Sequence, residues 1–382
     1  MAKRRQAGEG SIFLNKSKGL WTARVTDPDT GKTLSKASKH AKVVKVWFDQ
    51  QKTAIGNGLP AEPNRSESLG QFLPRWLELA APRLKPRSVV SYEQIIANHL
   101  VPQIGHHPVR RLTPQHVQAF INERAQVVSP RTVLHIHACL RVALRDAIRW
   151  GLVSRNVASK DYVTIPRVPE AEIHPFTPAQ ASQLLAAAAG DRFEHLFVVL
   201  LSTGLRLGEV LGLHWVDVDL EARPRPLLRV RTTLSRIRAG RQELSSPKSR
   251  TSRRTVHLTA PAIEALRAQR DRQTWDRHKL GDAYDDQDFV FAQPSGEPSN
   301  ASLVDYDFKK TLMRAGLDRK HRPHDLRHSC ATYLLAAGVS EFEIQQILGH
   351  SNLSMTRHYM HVLDGMRAAA ADRLESWLSA NL

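Results

Sequence analysis

The sequence predicts a multidomain, mainly α protein with a small N-terminal sheet-plus-helix domain, a helical domain and a mixed α/β domain. The chain has 382 residues, enough for two or three domains. Glycine and proline interrupt it at residues 56–64 and again at 166–175, where neither helix nor strand can continue. Elsewhere apolar residues recur mainly at helical spacing. The predicted domains are therefore residues 1–60, 65–165 and 172–382.

The first predicted domain is a small sheet with one helix packed on it. Between Leu20 and Val25, the residues Trp21, Ala23 and Val25 fall on one face, which is the period of a half-buried strand. The elements predicted after this strand are a turn at 27–31, a second strand at 32–36 and a helix at 41–55.

The second predicted domain is a four-helix module with a basic face. Apolar residues keep three- and four-residue spacing from Leu69 to Leu77 and from Val133 to Ile148, and Gly151 ends the last helix. The basic residues of the module are Arg83, Lys85, Arg87, Arg131, Arg141, Arg145 and Arg149. The sequence leaves open whether this face binds an anionic partner or is only solvated.

The third predicted domain alternates helices with one strand-rich insertion. A capping box at residues 177–180 begins its first helix. Residues 227–258 contain two strands, and the basic segment 247–254 is predicted as the loop that joins them. Helices at 260–273 and 300–315 follow.

The charge balance indicates a nucleic-acid partner. The chain has 55 Lys and Arg against 37 Asp and Glu, a formal charge of +18 and a pI near 10.3. Residues 1–60 carry a net +8 and residues 61–170 a net +7. We therefore predict a basic N-terminal module that binds nucleic acid, with a solvated charged face as the alternative.

Composition also excludes several classes of protein. No run of eighteen apolar residues and no hydrophobic N-terminal stretch occurs, so we expect neither a membrane span nor a secretory signal, but a soluble cytoplasmic protein. The two cysteines, Cys139 and Cys330, are too few for a disulfide framework. The spacing of His321, His324, His328 and Cys330 fits no structural zinc pattern, and we expect no metal.

The candidate chemistry lies in the third domain. His324 and Arg327 are three residues apart on a helix that follows Pro323, so both can face one anion. Arg206 stands at the start of another helix, where the backbone dipole also favours anions. Further along, His350 follows a helix-ending glycine, and Tyr359 comes nine residues later.

These residues resemble the motifs of the tyrosine recombinase family, also called phage-type integrases. The matching motifs are Thr203-Gly204-Leu205-Arg206-Leu207-Gly208-Glu209, Lys248, His324-Asp325-Leu326-Arg327-His328, Leu348-Gly349-His350 and Tyr359-Met360-His361. All six positions of the family's catalytic set are occupied in the family's order. An ordered set is far more specific than a single H-x-x-R pair, which arises readily by chance.

The resemblance implies a site-specific DNA recombinase that works without cofactor or metal. Reversible cleavage of a phosphodiester needs a nucleophile, charge stabilisation and a proton for the leaving oxygen. The implied roles are nucleophile for Tyr359, which forms a 3′-phosphotyrosyl bond; phosphate binding for Arg206 and Arg327; general acid for Lys248; proton transfer for His324; hydrogen bonding for His350; and orientation of the site for Glu209.

The same resemblance assigns a role to each domain. Residues 1–60 resemble an arm-type DNA-binding domain, residues 65–165 a helical core-binding (SAM-like) domain, and residues 172–382 the catalytic domain. The predicted DNA contacts are Arg24, Lys85, Arg87, Arg131, Arg250, Arg253 and Arg254. The implied partners are double-stranded DNA with attachment sites, further subunits in a synaptic tetramer, and accessory DNA-bending or directionality proteins, but no membrane.

Alternatives remain at the level of sequence. A type IB topoisomerase shares the tyrosine chemistry, although the separate N-terminal module argues against it. A DNA-binding regulator with dispensable cleavage is a second alternative, opposed by the complete catalytic set. In the tail, residues 361–382 carry an apolar stripe that could dock on a neighbouring subunit or on its own domain. The stripe consists of Met366, Ala370, Leu374, Trp377 and Leu378.

Overall fold

The computed structural model separates into two compact units, Met1–Glu170 and Ala171–Leu382. It describes residues 10–26, 31, 33–56, 67–169, 173–238, 241–245, 253–349, 375 and 379. The predicted boundary between a first and a second domain falls inside the first unit, so the three-domain division stays a prediction. The apolar stripe predicted in the tail lies outside the described residues.

The first unit begins with a three-stranded antiparallel sheet followed by a helix. Its elements, in sheet order, are β1 (Ser11–Asn15), β2 (Leu20–Thr26) and β3 (Thr33–Ser38), followed along the chain by α1 (Ala41–Gly56). Ala23 and Val25 are fully buried against the helix with Val44 and Trp47, whereas Arg24 between them is exposed. The predicted alternation of β2 is thus present in the structure.

Strand β1 was not predicted, because its sequence does not alternate. Ile12, Phe13 and Leu14 are consecutive apolar residues, and all three remain exposed, at 36%, 38% and 43%. β1 lies at the sheet edge and pairs only with β2 among the described strands. Its backbone hydrogen bonds, rather than a buried face, hold it in the sheet.

The remainder of the first unit is helical. Its helices are α2 (Leu69–Ala80), α3 (Pro86–Ile95), α4 (Val101–Ile104), α5 (Pro114–Val127) and α6 (Pro130–Arg149). A π-helical turn at Ile96–Leu100 connects α3 to α4, close to Pro102, which lacks the N–H for a regular helical bond. The predicted helical character is confirmed, although the sequence predicted four helices and the described residues form five.

The core of this helical part comes from the two segments with the strongest apolar spacing. In α2 the residues Leu69, Phe72, Leu73 and Trp76 are fully buried. Ser68 begins α2 with a capping box, in which its hydroxyl accepts from the Gln71 N–H and the Gln71 side chain accepts in return. Apolar residues of α6 pack on them within the same hydrophobic cluster. Periodicity alone therefore located this core correctly.

Besides short 3-10 turns, the described residues of the second unit form seven α-helices and five β-strands. They are α7 (Pro178–Ala188), α8 (Glu194–Thr203), α9 (Leu207–Leu211), β4 (Val218–Asp219), β5 (Leu227–Val230), β6 (Thr233–Arg238), β7 (Arg241–Ser245), β8 (Arg254–His257), α10 (Ala260–Leu280), α11 (Ala301–Arg314), α12 (Pro323–Ala336) and α13 (Glu341–Leu348). Helix α8 is the central element, since it packs against both α10 and α12. Among the described residues, no helix combines the length and apolar character needed to span a membrane.

The strand-rich insertion forms two separate sheets. β5 pairs with β4 on one side and β8 on the other, all antiparallel. Strands β6 and β7 form a hairpin of their own. The sequence predicted one loop directly between the strands of the first sheet, so this hairpin is a correction. The hairpin packs closely against α9 because Gly208 and Gly212 have no side chain. A Cβ at Gly208 would lie 2.7 Å from the Leu234 carbonyl oxygen.

Candidate functional site

Helix α12 carries His324 and Arg327 on one side, as their spacing predicts. Pro323 occupies the first turn, and the Arg322 N–H donates to the Asp325 carboxylate at 2.9 Å, which caps the helix start. Leu326 is fully buried in the unit's core. The cap and the buried Leu326 therefore fix the orientation of α12 about its own axis. In this orientation Arg327 lies in the interior and is only 2% exposed.

The buried Arg327 guanidinium joins the ends of two other helices. One terminal nitrogen donates to the Gly204 carbonyl oxygen at 2.6 Å, and the other to the Leu348 carbonyl oxygen at 2.8 Å. Gly204 ends α8 in the left-handed region, with φ of 61°, and Leu348 ends α13. Arg327 thus fixes the turn that precedes Arg206.

Arg206 lies directly before α9 and bridges its own helix to α13. Its guanidinium donates to Glu209 Oε1 at 2.7 Å and to the Gly349 carbonyl oxygen at 3.0 Å, and its backbone N–H donates to Glu209 Oε2 at 3.0 Å. The side chain keeps 35% of its surface exposed. Arg206 can therefore meet a ligand while Glu209 orients it.

A third arginine, Arg254 of β8, completes this arrangement. Its Nε donates to the Ile347 carbonyl oxygen at 2.6 Å, and a terminal nitrogen lies 3.0 Å from Glu209 Oε2. Three successive carbonyls at the end of α13, those of residues 347, 348 and 349, therefore each accept from a different arginine. Such carbonyls carry the partial negative charge of a helix C-terminus, which favours cations.

The placement of Arg254 differs from the predicted DNA contact. Only 6% of its side chain is exposed, because side chains alternate along β8: Arg254 and Val256 face the interior, while Thr255 and His257 face outward. Arg253, one residue earlier, is exposed. Two adjacent arginines of equal predicted role thus have different environments.

Glu209 is ionised because two arginines lie beside its carboxylate. Burial by itself would raise the pKa of this carboxyl, but the charge and hydrogen bond of Arg254, together with Arg206, lower the pKa below its ordinary value. A negatively charged Glu209 can hold both guanidiniums at once. This carboxylate therefore orients cations rather than donating a proton.

His324 lies beside these cations and is neutral. The loss of hydration around the ring, reinforced by His328 and Arg327, lowers the pKa of His324 to about 4. The His324 and His328 rings meet edge to face with centroids 4.7 Å apart. A neutral imidazole has one ring nitrogen that can accept a hydrogen bond, but the lowered pKa makes His324 a weak base in the DNA-free protein.

The structure leaves four predicted site residues outside its described part: Lys248, Arg250, His350 and Tyr359. Apart from Arg254, the other predicted DNA contacts are exposed in their own units. Arg24 of β2 stacks its guanidinium 5.5 Å from the Phe13 ring centroid. The remaining exposed contacts are Lys85, Arg87, Arg131 and Arg253.

Two further basic residues share a cleft with two of the predicted contacts. Arg229 and Arg231 line an open cleft of about 430 Å³ together with Arg253 and Arg254. Arg231 also pairs with the buried Asp217 at 3.0 Å. The sequence signal was a run of basic residues between 229 and 254, but the run does not reveal which members share one cleft.

Comparison with known proteins identifies the family. The model of the phage integrase family matches residues 175–366, and that of the phage integrase N-terminal SAM-like domain matches residues 68–124. An integrase of Streptomyces ambofaciens is 29% identical over 373 residues, covering 93% of this chain and 92% of the relative. A tyrosine recombinase XerC-like protein of Caldanaerobacter subterraneus subsp. tengcongensis is 28% identical, covering 92% and 94%.

Solved structures agree on the fold. The Tn1549 transposon integrase in complex with a circular intermediate DNA gives a TM-score of 0.63 at 22% identity, covering 77% of this chain and 95% of that one. A lambda integrase tetramer bound to a Holliday junction gives 0.56 at 18% identity, covering 94% and 96%. The predicted multidomain, mainly α fold class is confirmed.

The chain belongs to the phage integrase family. The predicted family is thereby confirmed, and with it the predicted class of enzyme, a site-specific recombinase that breaks and rejoins DNA strands. Family membership by itself does not assign a role to each residue.

Proposed function

We propose that this recombinase integrates or excises a mobile element, using Tyr359 as its nucleophile. The observation that supports the proposal most is the convergence of Arg206, Arg327 and Arg254 on the C-terminal end of α13. Tyr359 follows Gly349 by ten residues in the sequence. A chain leaving a cationic centre is well suited to bring a nucleophile to a phosphate bound there.

The proposed reaction is a transesterification that balances without any cofactor. The Tyr359 oxygen attacks phosphorus and forms the 3′-phosphotyrosyl bond, while the bond from phosphorus to the 5′-oxygen breaks. His324 would assist the transfer of the tyrosine proton, which leaves to solvent, and Lys248 would supply a proton to the departing 5′-oxygen. Attack by a 5′-hydroxyl from the partner strand reverses these steps and rejoins the DNA.

Arg206 and Arg327 would stabilise the negative charge that develops on the non-bridging oxygens of the phosphate. A guanidinium presents paired N–H donors that match those oxygens, which a lysine ammonium does not. His350 would add a further hydrogen bond. Glu209 would orient Arg206 rather than touch the phosphate, consistent with its 3% exposed side chain.

DNA binding outside the reaction centre is proposed for all three predicted domains. The exposed Lys85, Arg87 and Arg131 would contact phosphates along the core site, and the basic segment of the sequence around Arg250 would do so near the cleaved bond. In the N-terminal sheet, Arg24 projects outward between two buried residues of β2. An antiparallel sheet with such a basic face can enter the major groove.

The N-terminal proposal can be tested by footprinting. The full chain should protect both a crossover core and a separate arm site, whereas a chain beginning near Ser66 should protect only the core. Protection of the same DNA by both proteins would assign the N-terminal module to another role, such as contact with a protein.

Assembly into a synaptic tetramer is also a proposal. The tetrameric lambda integrase on a Holliday junction supports it through similarity of fold. In this assembly the apolar stripe of residues 361–382 would dock on a neighbouring subunit. The proposed place of action is the nucleoid in the cytoplasm. Accessory DNA-bending or directionality proteins would select the direction of recombination.

Trapping the covalent intermediate tests the proposed nucleophile. On a core-site duplex nicked near the cleavage position, the wild type should accumulate a protease-sensitive covalent adduct, and Tyr359→Phe should form none while still binding DNA. Tyr306→Phe is the matched control, because Tyr306 is 68% exposed on α11 and should leave adduct formation unchanged. An adduct formed by Tyr359→Phe would disprove the assignment.

A further inference from the structure

Arg254 occupies a position that its sequence neighbours do not share. It links three elements at once, since it extends from β8, pairs with Glu209 of α9 and donates to the end of α13 at Ile347. Only 6% of its side chain is exposed, and only 3% of that of Glu209. A guanidinium that is both enclosed and paired with a carboxylate is poorly placed to bind the DNA backbone, whereas the enclosed Arg327 bonds to neutral carbonyls.

Glu209 connects Arg254 to the catalytic arginine. One Glu209 oxygen accepts from the Arg206 guanidinium at 2.7 Å, and the other lies 3.0 Å from Arg254. Each arginine then donates to a carbonyl of α13, Arg206 at Gly349 and Arg254 at Ile347. Arg206 and Arg254 are thus joined to each other through Glu209, and both are hydrogen-bonded to the C-terminal end of α13.

We propose that Arg254 is a positioning residue for DNA cleavage: it holds Glu209 against Arg206 and fixes the end of α13, from which the chain leads to His350 and Tyr359. The inference rests on the proposed function, because it assumes that Arg206 binds the scissile phosphate. Arg254 itself touches neither the phosphate nor the nucleophile in this scheme.

The physical reason is that Glu209 is buried and needs a cation on each oxygen. Removing Arg254 leaves one carboxylate oxygen with less compensation in a site that burial already makes unfavourable for charge. Glu209 can then turn toward other donors or take up a proton, and either change releases Arg206. A displacement of about 1 Å at a reacting group can cost about 100-fold in rate.

The test separates DNA binding from cleavage on the core-site duplex defined by the wild-type footprint. Arg254→Gln should lower the single-turnover cleavage rate at saturating DNA by about 100-fold, with little change in the dissociation constant. Arg253→Gln removes the exposed neighbour and should instead weaken binding and reduce the slope of log affinity against log salt by about one. If Arg254→Gln behaves like Arg253→Gln, Arg254 is a DNA contact and the inference is wrong.

A structural control comes from Arg192, which has the same bonding pattern away from the site. Its guanidinium donates to Asp276 at 2.6 Å and to the Ala292 carbonyl oxygen at 2.7 Å. Arg192→Gln should destabilise the unit but leave the saturated cleavage rate near that of the wild type. Equal losses of rate in both variants would mean that Arg254 matters only for stability, which overturns the inference.

A double-mutant cycle provides the decisive readout. If Arg254 acts through Glu209, the combined variant Arg254→Gln with Glu209→Gln should be no slower than the slower single variant; multiplicative losses would overturn the inference. Arg254→Lys, which retains a charge beside Glu209, should recover part of the rate and remains usable if Arg254→Gln fails to fold. A wild type that forms no covalent adduct would instead disprove the proposed function.

Discussion

Two buried carboxylates, Asp146 in the first unit and Glu209 in the second, each collect basic side chains, but their surroundings differ. Asp146 Oδ2 accepts from the Trp76 indole at 2.8 Å and from Arg83, whose side chain is 49% exposed. Glu209 binds Arg206, 35% exposed, and Arg254, 6% exposed. Arg83 remains about half in water, whereas Arg254 is enclosed.

The difference shows how one kind of ion pair serves two purposes. The half-exposed Arg83 compensates the buried charge of Asp146 and links the turn after α2 to α6. In the second unit the arginines also donate to the carbonyls that end α13. Glu209 cancels only one of the three guanidinium charges of Arg206, Arg254 and Arg327, and the carbonyls, which carry only partial charges, do not cancel the rest. That arrangement is suited to a phosphate, and the first is suited to stability.

The largest expected effect comes from replacing one arginine of each unit by lysine. Arg327→Lys should slow single-turnover cleavage by about 100- to 1000-fold, because a lysine cannot bridge the Gly204 and Leu348 carbonyls and still present paired donors. Arg83→Lys is the matched change beside Asp146 and should cost only about 1 kcal/mol of stability. Similar cleavage losses in both would contradict the distinction between the two centres.

The next effect concerns the turn that presents Arg206. Gly204 has φ of 61°, and a Cβ there would lie 2.3 Å from Leu348 Cδ2, which is fully buried. Gly204→Ala should therefore cost about 2 to 4 kcal/mol from backbone strain and overpacking, with slower cleavage. Chemical denaturation and single-turnover cleavage would measure the two losses.

Gly316→Ala isolates the backbone part of this effect. Gly316 has φ of 68°, and a Cβ added there would have no atom within 4 Å, so its replacement should cost about 1 to 2 kcal/mol by strain alone. Equal losses in the two alanine variants would show that the contact between Gly204 and Leu348 carries no weight.

A smaller effect is the pH dependence that Glu209 gives to stability. The pKa of Glu209 is lowered in the folded protein despite the opposing effect of burial, so its contribution to stability is full above its unfolded pKa and is lost as pH falls through the folded value. Glu209→Gln should lower stability at pH 7 by about 1 to 3 kcal/mol and remove this part of the acid loss. Denaturation curves of the second unit between pH 7 and acid conditions would reveal it, and an unchanged pH dependence would contradict it.

The smallest expected effect is the absence of a titration. Because desolvation, His328 and Arg327 lower the pKa of His324 to about 4, its ring in the DNA-free protein should stay neutral from neutral pH down to about pH 5. An NMR titration, with His324→Asn to assign the resonance, measures this directly. Protonation near the ordinary histidine pKa would mean that the ring is better solvated than its neighbours suggest.

Local signals were sufficient for much of the fold. The apolar spacing of α2, the alternation around Arg24 and the spacing of His324 and Arg327 are each set by residues within a turn or two, so the sequence predicted them correctly. Capping boxes such as the one that begins α7 at Thr177 were equally readable. The order of the motifs alone indicated the correct family.

Other features depend on contacts between distant parts of the chain. The hairpin β6–β7 was missed because the glycines that accept it, Gly208 and Gly212, belong to another element. Similarly, nothing local distinguishes Arg253 from Arg254, since both are basic and adjacent. Which side chains of the four-residue strand β8 face the interior is decided by what packs on each face of its sheet.

By itself the sequence determined the helices, the basic character and the set of residues available for catalysis, because periodicity and charge are local properties. Only the tertiary structure decided that Arg206, Arg254 and Arg327 meet at successive carbonyls of α13. Burial and hydrogen-bond partners depend on segments more than a hundred residues apart, such as Gly204 and Arg327, and no spacing along the chain encodes that distance.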